Sequence, residues 1–222
     1  MRFYTNVQMV GDNFLVRGYE DGKHFMTREK FYPTLFVPSK KKTKYKTLTG
    51  DYVESVAPGT VRECREFVKK YNDVENFDIY GNERYIYQYI SDLYPEEQLI
   101  FDIDKIKLTT IDIEVKSENG FPDVESCAEE ILLISMQDYK TKQIRTWGLG
   151  EFNNKQENVI YKSFRTEYEL LHDFIHWWMI EGNTPEVITG WNSKLYDIPY
   201  VCRRLDRVLG GKLMKRMSPW GL

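Results

Sequence analysis

Short runs of loosely alternating apolar and polar residues open the chain, and they predict an antiparallel β-meander over residues 1–38. Phe3 to Val10, Phe14 to Tyr19 and His24 to Tyr32 are the strands, and Gly11-Asp12-Asn13 turns the first into the second. Glu20-Asp21-Gly22-Lys23 carries the Asp-Gly signal of a tight hairpin. Pro33 and Pro38 bracket a further strand, Thr34-Leu35-Phe36-Val37, and residues 47–58 read as one or two short strands around Gly50-Asp51. The period then changes. Thr60-Val61-Arg62-Glu63 fits a capping box, and Cys64, Phe67, Val68 and Tyr71 fall on one stripe of the helix that follows. The aromatic stretch from Asn76 to Ile90 reads as a strand crossing between two packed units. Pro95-Glu96-Glu97 is the best linker, which predicts a first domain over 1–100 and a second over 101–222.

The second half alternates strands with helices. Strands are expected over Lys105–Val115, Glu130–Asp138, Gln143–Leu149 and Val159–Phe164, the last at an edge. The unbroken apolar run Ile131-Leu132-Leu133-Ile134 fits a central strand covered on both faces. A second capping box, Thr166-Glu167-Tyr168-Glu169, opens a helix to about Glu181, ended by Gly182-Asn183. Pro185 to Asn192 is a strand running into a polar turn, and Tyr196 to Leu209 is a helix stopped by Gly210-Gly211. This order defines an α/β chain with a sheet of mixed direction behind a β-rich α+β domain. Sites in such sheets collect beyond the C-terminal ends of strands, where Asn192 and Asp197 lie.

The stretch with the most chemistry is Thr109-Thr110-Ile111-Asp112-Ile113-Glu114-Val115. On a strand Ile111, Ile113 and Val115 face one way, and Asp112 and Glu114 face the other, side by side. Two adjacent carboxylates repel unless a cation or a proton lies between them, which suggests a divalent-metal site. The same pattern also fits an edge strand whose second face is solvated.

Composition narrows the picture little. The net charge of −3 over 222 residues provides no global field for nucleic acid, so any such contact must be local. Cys64, Cys127 and Cys202 are scattered and no CxxC occurs, so neither a disulfide framework nor a zinc ribbon is indicated, and the usage fits a reduced, cytoplasmic setting. No run approaches membrane-spanning length, and the N-terminus has no signal-peptide core. Two features look like sites and read more simply otherwise. The lysines of Lys40-Lys41-Lys42-Thr43-Lys44-Tyr45-Lys46 could touch phosphates, or they form a solvated loop. His172 and His176 echo H-E-x-x-H, but an Asp replaces the Glu and no third ligand is apparent.

Together these residues resemble the proofreading domain of family B DNA polymerases. Asp112-Ile113-Glu114 is similar to the first exonuclease motif, D-x-E. Thr189-Gly190-Trp191-Asn192-Ser193-Lys194-Leu195-Tyr196-Asp197-Ile198-Pro199-Tyr200 is similar to the second, N-x-x-x-[FY]-D with its apolar and Pro flanks. The Gly11-Asp12-Asn13 turn, the Thr27-Arg28-Glu29 strand, Pro33-Thr34-Leu35-Phe36 and the lysine run resemble the N-terminal domain of the family's T-even-type phage members. The resemblance covers essentially the whole chain. It implies a β-rich N-terminal domain and then an incomplete ribonuclease-H-like (DnaQ-like) 3′→5′ exonuclease domain. It further implies two divalent ions, Mg²⁺ or Mn²⁺, held by Asp112, Glu114 and Asp197. Asp112 would bridge both ions, Glu114 would bind one and help orient the attacking water, and Asp197 would bind the other. Asn192, Phe121 and Tyr196 would face the nucleic acid: a single-stranded 3′ end or primer-template DNA, in the cytoplasm of an infected bacterium.

The family's third motif, Y-x-x-x-D, is expected well downstream of Asp197 and does not occur before Leu222. The chain therefore reads as the N-terminal part of a replicative polymerase, weak or inactive alone, whose remaining polymerase part is supplied elsewhere, possibly as a separate chain. The alternative is a non-catalytic nucleic-acid-binding or assembly subunit that docks on a polymerase chain. A docking role predicts an exposed apolar patch around Leu205, Val208, Leu213, Met214, Met217 and Trp220.

Overall fold

A computed structural model describes residues 2–81, 84–95, 100–118 and 120–222. The chain divides into two compact units, Met1–Lys105 and Ile106–Leu222. Of the expected linker, Glu96 and Glu97 lie outside the described residues, as does Asn119 in the loop after the acidic strand.

The first unit is β-rich. Strands β1 (Arg2–Val10), β2 (Asn13–Glu20) and β3 (Lys23–Lys30) form the expected antiparallel meander. A second sheet, in the order β4-β6-β5, joins β4 (Leu35–Pro38), β6 (Tyr52–Val56) and β5 (Tyr45–Lys46). The 34–38 segment thus leaves the meander for its own sheet. Helix α1 (Val61–Tyr71) starts at the capping box: the Glu63 N–H donates to Thr60 Oγ1, and Glu63 Oε2 accepts from the Thr60 N–H at 2.6 Å.

The strand expected over 76–90 is corrected. Among the described residues of this stretch only Tyr80 bridges, to Phe36, and Tyr85–Leu93 is helix α2. Tyr85 and Tyr89 recur at i, i+4 and are both buried, with Ile86 and Ile90 packed beside them. Helical periodicity therefore overrides the strand preference of aromatic residues. Much of the chain's aromatic content is spent in this core, where Phe14 stacks on Tyr89 at 4.8 Å and Phe31 packs edge-on against both.

The second unit holds a five-stranded sheet in the order β10-β9-β8-β7-β11. Its strands are β7 (Leu108–Val115), β8 (Ile131–Asp138), β9 (Ile144–Leu149), β10 (Val159–Phe164) and β11 (Val187–Thr189). Strands β7, β8 and β9 are antiparallel neighbours, while β10 runs parallel to β9 and β11 parallel to β7. The sheet is thus mixed, as the alternation of strands and helices predicts, and β10 lies at an edge. Helices α3 (Glu167–Met179) and α4 (Asp197–Leu209) share one core with Ile111, Ile113, Ile134 and Trp147. Strand β8 is central but is not covered on both faces. Ile131, Ile134 and Met136 are buried, whereas Leu132 is exposed. A register shift opposite Glu114/Val115 lets Ile131 and Ile134, an odd number of residues apart, both join the core.

The expected C-terminal apolar patch is also corrected. Leu205 is fully buried, and Val208, Met214 and Met217 pack against the same core, with short helix α5 (Gly211–Met214) folding back. The chain covers most of this surface itself and leaves Leu213 and Trp220 half-buried.

One buried ion pair ties the helices together. Arg204 of α4 makes a two-pronged contact with Glu167 of α3, one prong at 2.8 Å, and Glu167 Oε1 also accepts from the Ile131 N–H at 2.9 Å. Removing one partner strands a buried charge. Arg204→Ala is expected to lower unfolding free energy by about 3–5 kcal/mol, measurable by urea denaturation.

Candidate active site

The acidic strand is not an edge strand: β7 lies between β8 and β11. Its alternation is as expected, with Ile111 and Ile113 buried and Asp112 and Glu114 exposed on the other face. That second face is solvated, so one half of the simpler reading holds and the other does not.

Strand β11 is only three residues long, and its pairing with β7 ends at Thr189 and Thr110. Beyond that point the edge of β7 loses its strand partner, and a side chain takes its place. The Ile113 N–H, between the two acidic residues, donates to Asp197 Oδ1 at 3.1 Å. The intervening segment is shaped for this. A Cβ on Gly190 would lie 2.5 Å from the Ile111 carbonyl oxygen, so only glycine permits the close approach. Asn192 follows with φ +56°, a left-handed value that asparagine tolerates better than most residues. Its carbonyl accepts from the Leu195 and Tyr196 N–H groups, and the turn delivers Asp197 as the first residue of α4.

Asp197 is 4% exposed. Burial pushes its carboxyl above the ordinary aspartate range, and the charge of Asp112 adds to the rise; hydrogen bonds from its own N–H and that of Ile113 oppose it. Tyr196, just before it, is held protonated mainly by burial, with the charges of Asp197 and Glu114 among the lesser causes. Its ring lies 4.8 Å from that of Phe121, which is 82% exposed in the loop after β7. Trp191 is exposed on the turn.

The second motif thus reaches the first: Asp197 binds the strand between Asp112 and Glu114, and Tyr196 meets Phe121. Asn192 serves here through its backbone. The carboxylates suit a hard divalent cation chemically, and a cation would relieve the repulsion from Asp112 that adds to the effect of burial on Asp197. Among the described residues, however, no three His, Cys, Asp or Glu side chains enclose a metal position. The carboxylates form an open edge rather than a closed cage.

Other candidates lie apart from this edge. His172 and His176 are on the exposed face of α3, where His176 Nδ1 pairs with the His172 carbonyl at 2.7 Å. Asp173 turns away, accepting from Trp147 Nε1 at 2.9 Å. Lys40, Lys41 and Lys42 are solvated, while Lys44 and Lys46 lie over the rings of Tyr45 and Tyr52. What sequence reasoning missed is a set of arginines on α4, Arg203, Arg204 and Arg207, which grip the loop carrying Phe121. Their spacing along one helix face was the available signal.

The mixed sheet and its acidic edge form one α/β domain. A family model described as DNA polymerase family B, exonuclease domain, matches residues 65–221, and the chain belongs to this family. The DNA-directed DNA polymerases of Escherichia phage RB69 and Enterobacteria phage T4 are 27% and 28% identical, over 98% and 99% of this chain. The chain spans 27% of the length of each. The DNA polymerase catalytic subunit of human herpesvirus 6A is 35% identical over 45% of the chain and 10% of its own length. Among the described residues no helix is long and apolar enough to cross a membrane.

The raised carboxyl of Asp197 carries a stability signature. A carboxyl with a folded pKa above its unfolded value contributes stability below the unfolded pKa and loses it as pH rises through the folded pKa. Asp197→Asn keeps the oxygen that accepts from Ile113 and removes the charge. In metal-free buffer it is expected to melt above the wild-type chain at pH 7, with the gap closing as pH falls toward 4. A lower melting temperature at every pH would contradict this origin of the strain.

Proposed function

We propose that this chain contributes the carboxylate edge of a 3′→5′ proofreading exonuclease, hydrolysing the terminal phosphodiester of a single-stranded DNA 3′ end. The observation that carries the reading is the Asp197 carboxylate seated on the Ile113 N–H, between Asp112 and Glu114. Phosphodiester hydrolysis needs an activated water and neutralised charge at the leaving oxygen, and two divalent ions, Mg²⁺ or Mn²⁺, supply both when bound. Asp112 is assigned to both ion positions, Glu114 to one of them and to orienting the water, and Asp197 to the other. Phe121 and Tyr196, whose rings meet at a tilt, offer an aromatic wall for the terminal base, with Trp191 exposed near the turn. Asn192 shapes that turn, and we assign it a place against the nucleic acid as well.

The openness of the edge bears on how the site works. We infer that a further carboxylate comes from polypeptide outside this sequence, contiguous with it or in a partner chain. The polymerase named in the phage relatives would be that larger assembly, acting on primer-template DNA in the infected bacterial cytoplasm. The same openness favours a second reading, a non-catalytic nucleic-acid-binding or assembly subunit.

One assay tests whether the edge cleaves by itself. A 5′-labelled single-stranded oligonucleotide is incubated with the 222-residue chain in Mg²⁺ or Mn²⁺, beside Asp112→Ala/Glu114→Ala. Stepwise shortening from the 3′ end, lost by at least about 100-fold in the double variant, is the expected result if the edge suffices. Binding without shortening by a folded chain selects the second reading or an external carboxylate.

A further inference from the structure

Helix α4 carries Asp197 in its first turn and three arginines, Arg203, Arg204 and Arg207, in its later turns. All three face the loop between β7 and β8. That loop contains one helix-like turn: the Ser126 N–H donates to Asp123 Oδ2 at 2.7 Å and the Cys127 N–H to the Asp123 carbonyl at 2.9 Å. The turn ends at Cys127, buried and with φ +40°, a value rarely adopted by a residue with a side chain. A turn of this kind leaves its last carbonyls without backbone partners, and cations satisfy them well.

The guanidinium groups do so in sequence. Arg203 donates to the Val124 carbonyl and to Glu125 Oε2 at 3.0 Å. Arg204 donates to the carbonyls of Cys127 at 2.9 Å and Ala128 at 3.3 Å. Arg207 donates to the carbonyls of Ser126 at 3.0 Å and Cys127 at 3.1 Å. One turn earlier, the Tyr200 hydroxyl donates to the Glu129 carbonyl at 3.0 Å. A single helix therefore holds both the carboxylate and the loop, and Phe121 enters that loop beside Tyr196.

We propose that Arg203, Arg204 and Arg207 are positioning residues: they lock the 123–128 turn to α4 and so fix the Phe121 ring at a set distance from Asp197, as the wall against which the terminal base of a DNA strand stacks. The proposal rests on the reading of the site as one that holds a DNA 3′ end. It assigns the arginines to the loop's carbonyls and not to the DNA phosphates. Arg203 and Arg207 are the testable pair, because Arg204 also belongs to the buried pair with Glu167.

The experiment uses the 222-residue chain and a single-stranded oligonucleotide ending in 3′ 2-aminopurine, with Ca²⁺ in place of Mg²⁺, and reads affinity and base stacking by fluorescence. Arg203→Gln/Arg207→Gln is expected to weaken binding on the order of tenfold, the scale of one lost base–aromatic stack. Phe121→Ala is expected to do the same, and the combination to add nothing further. Arg203→Lys/Arg207→Lys keeps the charges but loses the guanidinium fork by which Arg203 reaches the Val124 carbonyl and Glu125 together, so it should not restore binding. Amide exchange over 123–128 should rise in both the Gln and Lys pairs. Wild-type affinity in the Gln pair, rescue by lysine, or additive losses with Phe121→Ala would overturn the proposal while leaving the DNA-end reading intact. Failure of the wild-type chain to bind would remove the DNA-end reading, and the proposal with it.

Discussion

The hydrogen bond from the Ile113 N–H to Asp197 Oδ1 organises the second unit. It exists because β11 stops after three residues, leaving the edge of β7 without a strand where its acidic residues begin. An unpaired backbone donor beside a packed core is costly, and a carboxylate is among the stronger acceptors that can fill the place. The requirement propagates outward. Gly190 must let the backbone pass close to Ile111, Asn192 must turn left-handed, and α4 must begin where Asp197 can reach the strand.

The burial that brings Asp197 to this bond places the chain under tension. A carboxylate drawn into the protein and set near a second one resists ionisation, as the raised pKa direction of Asp197 records. Sites that gather like charges commonly give up stability for chemistry. Here the surroundings of α4 offset the loss. Tyr200, Val201 and Leu205 anchor the helix in the core, and Glu167 meets Arg204 with good two-pronged geometry plus a third contact from Ile131. Such a pair adds little net stability over an apolar substitute, and it joins α3, α4 and the start of β8 through one carboxylate.

The first unit illustrates a different use of composition. Its tyrosines and phenylalanines could have formed a stacking surface for bases, and many instead build the core of the β-rich unit, as the packing of Phe14, Phe31 and Tyr89 shows. The two most exposed aromatic residues of the second unit, Phe121 and Trp191, belong to the loops that flank the acidic edge. Exposure at a loop, rather than aromatic content, is therefore the informative quantity in this family member.

The sequence by itself determined the local elements whose signals are local. Period-two alternation placed Asp112 and Glu114 on one face and Ile111 and Ile113 on the other, and the capping boxes at Thr60 and Thr166 set two helix starts. The motif around Asn192 and Asp197 carried the family. Local signals failed where two periodicities compete, as at Tyr85 and Tyr89, and where burial depends on what lies above a strand, as at Leu132. Only the tertiary structure decided that β11 ends early, that Asp197 caps Ile113 across 84 positions of chain, and that Arg203, Arg204 and Arg207 hold a loop some 80 positions away. The reason is physical: a strand's pattern is written in neighbouring residues, whereas the partner of an orphaned donor or carbonyl is chosen by whichever polar group the packed helices bring within about 3 Å.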